Sequence, residues 1–256
     1  LITIIGGINN TESARVAGDE YRARDILLVE ALATVVASLF GGVAQSTPYI
    51  GHPAYKAMGG RAAYTLATGL FIGIGGALGV MSFVVEVIPE AVITPILLFV
   101  GIEIISQAFV ESPRKHASAV ALAIIPAVGY LVLTYADSLF DKLDPSILIP
   151  DSLAAEQLIL RVVGHGFILT AILWGGWLAD LIEGKLRSAS LYLFACAICT
   201  LFGLIHSVTP SGEIYFPWQL DDPNLVWQIT LGYALVGAGL LAASYLFKRN
   251  SNDAIV

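Results

Sequence analysis

Glu12 and Glu30 each stand in otherwise membrane-like sequence, and His52 follows a polar stretch, Gln45-Ser46-Thr47, that interrupts another apolar run. An ionisable group inside a membrane helix costs roughly 2.5–3.5 kcal/mol on insertion scales, so it calls for a partner or a wet cavity. Glu12 could hold a coupling proton. The plainer alternative is a pair with Arg15, three residues on, near the helix end. Glu30 lies one turn inside the next span and could relay protons or tie helices together. A third intramembrane carboxylate, Glu103, reads as a structural or gating contact. Gln45, Ser46 and Thr47 offer side-chain and backbone groups at a predicted turn, and a helix starting near Tyr49 would aim its positive end there, which suits a polar or anionic ligand. The same residues could instead only satisfy broken backbone. Gly51 and His52 come next. An imidazole readily changes charge in the physiological range, so His52 is either a hydrogen-bonding site group or a packing residue.

These residues are positioned by a sequence that reads as a polytopic membrane protein. The chain is 57% hydrophobic and only 13% charged, with mean hydropathy +0.79, whereas soluble domains are about one quarter charged. The runs 62–88, 91–110 and 225–247 each reach the roughly 20 residues needed to cross ~30 Å of hydrocarbon. The net charge of -7 comes from acids clustered between spans, and no basic patch suggests nucleic acid. The segment from Glu30 to Arg61 is the exception to the apolar pattern. It breaks and then resumes, which a bilayer tolerates only where irregular backbone is packed in protein or lines a cavity.

Predicted spans fall near 1–15, 25–40, a broken element 41–60, 62–88, 90–110, 115–136, 155–182, 188–206 and 225–247. Arg15, Arg22, Arg24, Lys56, Arg61, Arg114, Lys115, Lys185, Arg187, Lys248 and Arg249 then share one side, leaving Lys142 opposite and Arg161 near a span start. The positive-inside rule makes that side cytoplasmic, together with the C-terminus. The alternation requires 41–60 to count as one crossing.

Gly69/Gly73 and Gly75/Gly79 form two G-x-x-x-G pairs that would let another helix approach closely, and Pro95 and Pro126 would kink their helices. Cys196 and Cys199 lie in an apolar run and read as packing residues rather than a redox or zinc site. His165 and His206 have no acidic or cysteine partner at ligand spacing and read as structural or interfacial. Leu1 opens directly into an apolar segment without a signal-peptide pattern, so the chain is expected to be a piece of a longer protein. No cofactor is expected beyond a coupling H+ or Na+.

Several of these pieces together resemble the nucleobase:cation symporters of the xanthine/uracil permease superfamily, including the adenine/guanine/hypoxanthine permeases. The resemblance rests on Glu30-Ala31-Leu32, Gln45-Ser46-Thr47, Tyr49-Ile50 and Gly59-Gly60-Arg61, on the upstream Thr11-Glu12-Ser13 and Gly18-Asp19, and on Ile88-Pro89-Glu90-Ala91-Val92 to Gly101. It covers about residues 1–112.

The resemblance implies an all-α polytopic protein, the second half of a seven-plus-seven inverted-repeat transporter with a broken half-helix and short strand. Residues 1–88 would be a core domain portion, 89–185 gate helices, and 186–256 additional spans and a polar tail that exceed the usual count. It implies substrate contacts from Glu12, Gln45, Ser46, Thr47, Tyr49, Gly51 and His52, with coupling through Glu12, Glu30 and His52. The expected substrate is a purine or pyrimidine base or a related planar solute, whose paired N–H groups a Glu12 carboxylate could accept. Expected partners are the lipid bilayer of a bacterial inner membrane, the N-terminal half of the same transporter and, as a compatible assembly, a homodimer. The sequence departs from the family at Gly51, where a Glu, Gln or Asn is usual. That departure keeps open a small-anion carrier, of sulfate or bicarbonate type, on the same fold. An intramembrane enzyme or sensor would need a nucleophile pair, metal cluster or signalling domain, and none is seen.

Overall fold

Backbone amides in long apolar runs find partners most readily within their own helix. In the computed structural model, which describes residues 2–45, 52–142 and 150–253, all regular structure among those residues is helical. The chain divides into two compact units, Leu1–Glu111 and Ser112–Val256.

The first unit holds α1 (Ile2–Val16), α2 (Ala23–Leu39), α3 (His52–Ala57), α4 (Ala62–Ala77), α5 (Met81–Val87) and α6 (Glu90–Glu111). α1 packs against α2 and α3, and α4 against α5. The expected single span 62–88 is two helices, because α4 is closed off just past its end by Gly79, whose φ of +68° is a left-handed conformation that glycine adopts without penalty. The G-x-x-x-G reading changes accordingly. Gly75 packs on Met81, whose Sδ lies 2.7 Å from where a Cβ would stand, while Gly69 and Gly73 meet nothing within 4 Å. α6 continues through Pro95. The strand expected near Ser46–Thr47 falls in 46–51, outside the described residues, and no strand occurs among the described ones.

The second unit begins with a 3₁₀ turn, Arg114–His116, and continues as α7 (Ala117–Phe140), α8 (Asp151–Gly164), α9 (Phe167–Ile182), α10 (Leu186–Leu201) and α11 (Asn224–Asp253). α7 lies against α8 and α9, and α10 against α9 and α11. Small residues set these approaches. A Cβ on Gly164 would stand 3.0 Å from the Tyr130 backbone, and one on Gly176 would stand 2.6 Å from the Tyr192 ring. Helix 114–140 and residues 224–246 of α11 are long and apolar enough to cross a membrane. Their large side chains Leu131, Tyr135, Leu139, Leu231 and Leu235 project outward, the pattern of helices that are apolar on every face.

The expected span 155–182 is corrected here to two helices, α8 and α9, bent by 66° at His165-Gly166. The pair is apolar and long enough to cross a membrane only when taken together. Gly166 has φ +72°, and a Cβ there would collide with the Leu204 carbonyl oxygen, so the turn requires glycine on both counts.

At the other end of α9, Glu183 binds Lys115 at 2.9 Å and Lys185 at 2.5 Å. These two ammonium groups hold its carboxyl well below the ordinary range, at about 2, and the pairing in turn raises Lys185. Arg187 covers the Tyr245 ring at 4.6 Å, joining the start of α10 to α11.

Candidate functional site

Thr11, Ser13 and Ala14 of α1 are buried, and because Thr11 and Ser13 are two apart they point to different sides of the helix. The Thr11 hydroxyl donates to the Gly7 carbonyl at 2.7 Å, and the Ser13 hydroxyl reaches Gln107 of α6 at 3.4 Å. Glu12, between them in sequence, is on an open side of the helix. It is exposed and pairs with Arg15, the guanidinium Nη2 standing 2.6 Å from Oε2. Glu12 therefore takes the plainer of its two expected arrangements. Its carboxylate is not among the groups that His52 meets.

Glu30 is buried, 8% exposed, on the face of α2 turned to α1. Gly7 makes this approach possible, since a Cβ there would lie 2.7 Å from Glu30 Oε2 and 2.9 Å from a Leu27 methyl. A carboxylate thus sits at a helix contact beside Gly7 and Leu27, largely out of reach of water.

His52 opens α3 and turns toward the loop after α1. Its Nε2 is 2.7 Å from Asp19 Oδ2, and its Nδ1 is 3.4 Å from the Tyr64 hydroxyl of α4. Lys56, one turn on, places Nζ 2.8 Å from Asp19 Oδ1 and donates to the Ala17 carbonyl at 2.7 Å. Asp19 is thereby clasped by two groups from α3. The Lys56 ammonium first, then His52, lowers its carboxyl below the usual value. Tyr55 stacks on Tyr64 with ring centres 5.7 Å apart. Asp19, Lys56 and Tyr64 are members of this cluster that residue-by-residue reading did not single out as His52 partners. The only sequence signal is the Gly18-Asp19 pair, which fails to indicate a partner thirty-three positions away.

Gln45 lies in the exposed loop after α2. Its backbone N–H donates to the Thr34 hydroxyl at 2.9 Å and its side-chain amide to the Val43 carbonyl at 3.0 Å. Ser46, Thr47, Tyr49 and Gly51 lie outside the described residues. Among the expected site residues, the structure therefore joins His52 to α1 through Asp19 and Glu30 to α1 through Gly7, and pairs Glu12 locally.

No family model, curated protein or solved structure matches the chain.

The second unit contains a separate buried polar network. His206, 3% exposed and with φ +54°, donates from Nδ1 to the Val162 carbonyl at 2.6 Å. That donation fixes Nε2 of the neutral ring as an acceptor, and the Tyr233 hydroxyl fills it at 2.8 Å. The same Tyr233 oxygen accepts from Trp174 Nε1 at 2.7 Å. One imidazole therefore closes the last turn of α8 and links α9 to α11. His165 is also buried, and its Nδ1 donates to the Ser207 carbonyl at 3.0 Å. Cys196 is buried and Cys199 partly so, and neither is in a disulfide. Among the described residues, no group of three His, Cys, Asp or Glu side chains could hold a metal ion.

Proposed function

We propose that the chain is the C-terminal part of a secondary active transporter that couples H+ or Na+ to uptake of a nucleobase or a related small planar solute. The observation that carries this reading is Glu30, a carboxylate buried against Gly7 between two helices of a strongly apolar chain. An ionisable residue kept at such a place is by default a functional one, and a proton is the smallest ligand it can exchange. The Asp19–His52–Lys56 cluster supports the same reading, because it ties the start of α3 to the loop after α1. Broken helices joined in this manner suit a carrier that must rearrange around a polar solute.

In this proposal the likeness to the xanthine/uracil permease superfamily supplies the substrate class. Gln45, Ser46, Thr47, Tyr49 and Gly51 contribute substrate contacts, Glu12 and His52 take part in binding or coupling, and the chain completes an inverted-repeat carrier with an N-terminal half. In the same proposal the membrane is a bacterial inner membrane, and the one-sided basic side chains support a cytoplasmic C-terminus.

The test is uptake of labelled purines and pyrimidines by proteoliposomes holding the full-length protein, with imposed proton or sodium gradients. Gradient-driven uptake of at least one base, lost in Glu30→Gln, is expected. Transport of sulfate or bicarbonate with every base ignored would replace this substrate class with a small anion. Gradient-independent uptake that Glu30→Gln leaves unchanged would remove Glu30 from coupling.

A further inference from the structure

Between α10 and α11 the chain runs through a loop ordered by its own hydrogen bonds. The Tyr215 N–H donates to the Phe202 carbonyl at 3.2 Å, the Ser207 hydroxyl to the Glu213 carbonyl at 3.0 Å, and the Phe216 N–H to the Gln219 side-chain oxygen at 3.1 Å. From Ile214 to Trp218 exposure alternates residue by residue, with Tyr215 and Pro217 buried and Ile214, Phe216 and Trp218 outside. That is the period of an extended chain with one covered face, but here the outer face is apolar. Ile214 is 69% and Trp218 77% exposed. Phe216 stacks on Trp218 with ring centres 4.8 Å apart and meets Phe202 edge-on at 6.0 Å. We infer that Ile214, Phe216 and Trp218 form an anchor that rests in the headgroup layer of a lipid bilayer, at the end of the crossing made by α11.

A contiguous apolar patch on an ordered loop marks an interaction surface, and position selects the bilayer as its occupant. The loop leads into α11 through Asp221 and Asp222, both exposed, and residues 224–246 of α11 are apolar and long enough to cross a membrane. The aromatic stack therefore lies within a few residues of the level at which any bilayer crossed by α11 begins. Trp227, in the first turn of α11, is a second exposed tryptophan at that end. The Trp218 indole N–H donates to no described residue, which leaves it for the phosphate or ester oxygens of a lipid, while the ring body suits acyl carbon. The two neighbouring carboxylates require water and so keep the stack out of the hydrocarbon. Because the loop already holds the rings together, covering them with lipid orders few additional side chains. This inference rests on the crossing by α11 and not on any transported solute.

The full-length protein, labelled with fluorotryptophan and placed in phosphatidylcholine nanodiscs, is read by fluorine NMR. Trp218→Phe and Trp227→Phe assign the two resonances. Three relaxation agents are compared: lipid spin-labelled beside the headgroup, lipid spin-labelled at the acyl-chain end, and a water-soluble gadolinium chelate. Loss of the Trp218 signal with the headgroup-side label, and its persistence with the other two, is expected. Loss with the chelate alone would put the loop in water, and persistence with all three agents would mean that protein covers it. Either result overturns the anchor, as does greater loss from the chain-end label. The Trp227 signal separates the anchor from its premise. Lipid broadening at Trp227 and none at Trp218 defeats the anchor alone, whereas none at either position removes the crossing by α11 as well.

Discussion

His52 Nε2 stands 2.7 Å from Asp19 Oδ2, so the first residue of α3 is bonded to the loop that follows α1. Because Lys56 grips the other oxygen of the same carboxylate, a single side chain holds two polar groups of α3.

Asp19→Asn should release α3 from α1. Pairing lowers the Asp19 carboxyl, so its stabilisation is complete above the ordinary carboxylate range and is lost as pH falls through the lowered value. A cysteine at an exposed α3 position should therefore react faster with a water-soluble maleimide in Asp19→Asn at neutral pH. In the parent protein the same release should appear only under acid, read as increased mobility of a nitroxide label at that position. Equal rates in both proteins at neutral pH would show that the clasp does not hold α3.

Gly7→Ala should push the Glu30 carboxylate out of its place, because the added methyl would stand 2.7 Å from Oε2 and 2.9 Å from Leu27. Overpacking of this kind costs about 1–3 kcal/mol. A double variant, Gly7→Ala with Glu30→Ala, should recover part of the loss in detergent melting curves. Additive losses would mean that the two positions do not share one contact.

Tyr233→Phe removes both the donor to His206 and the acceptor for Trp174. Each buried group left unpaired costs about 1–3 kcal/mol, and the fall should be visible in chemical unfolding. Trp174 fluorescence should shift in the same variant. Wild-type stability in Tyr233→Phe would sink the network as a structural tie.

Gly166→Ala meets two obstacles, a left-handed φ of +72° and the Leu204 carbonyl. The conformation alone costs roughly 1–2 kcal/mol, and the backbone clash adds to it because neither side can swing away. The variant should elute as aggregate or as an early-melting species in size-exclusion profiles. Gly184→Ala, whose site has open space around it, should lose only the cost of its own φ of +71°.

Glu183→Gln should abolish one component of acid sensitivity. Lys115 and Lys185 hold the carboxyl at about 2, so their stabilising contribution is full above the ordinary carboxylate range and disappears as pH falls toward about 2. Melting curves of the parent and the variant should converge at low pH and separate at neutral pH, more so at low salt. Parallel curves at every pH would count against the pair.

Long helices were legible where composition alone determines them. Expected spans 90–110 and 225–247 correspond to α6 and α11 because an apolar run of that length has few alternatives to a helix. Breaks were harder to read. Gly164-His165-Gly166 sits in a sequence where glycine is common within membrane helices, so the need for a left-handed turn becomes visible only once Leu204 lies against it. The candidate site divides in the same way. Glu12 and Arg15 lie three apart and their pairing follows from helical geometry, whereas Asp19 and His52 are joined by the packing of α3 on α1, which no local pattern encodes.

The bond between Lys115 and Glu183 also counts crossings. Partners 2.9 Å apart cannot have a hydrocarbon layer of ~30 Å between them, so the foot of α7 and the last turn of α9 share one face of any bilayer that α7 traverses. Gln157 of α8 meets Asp137 near the far end of α7, so the chain sets out on its return from the opposite face. For any bilayer that α7 traverses, the 66° elbow between α8 and α9 is then a corner on the way back toward the face where α7 began.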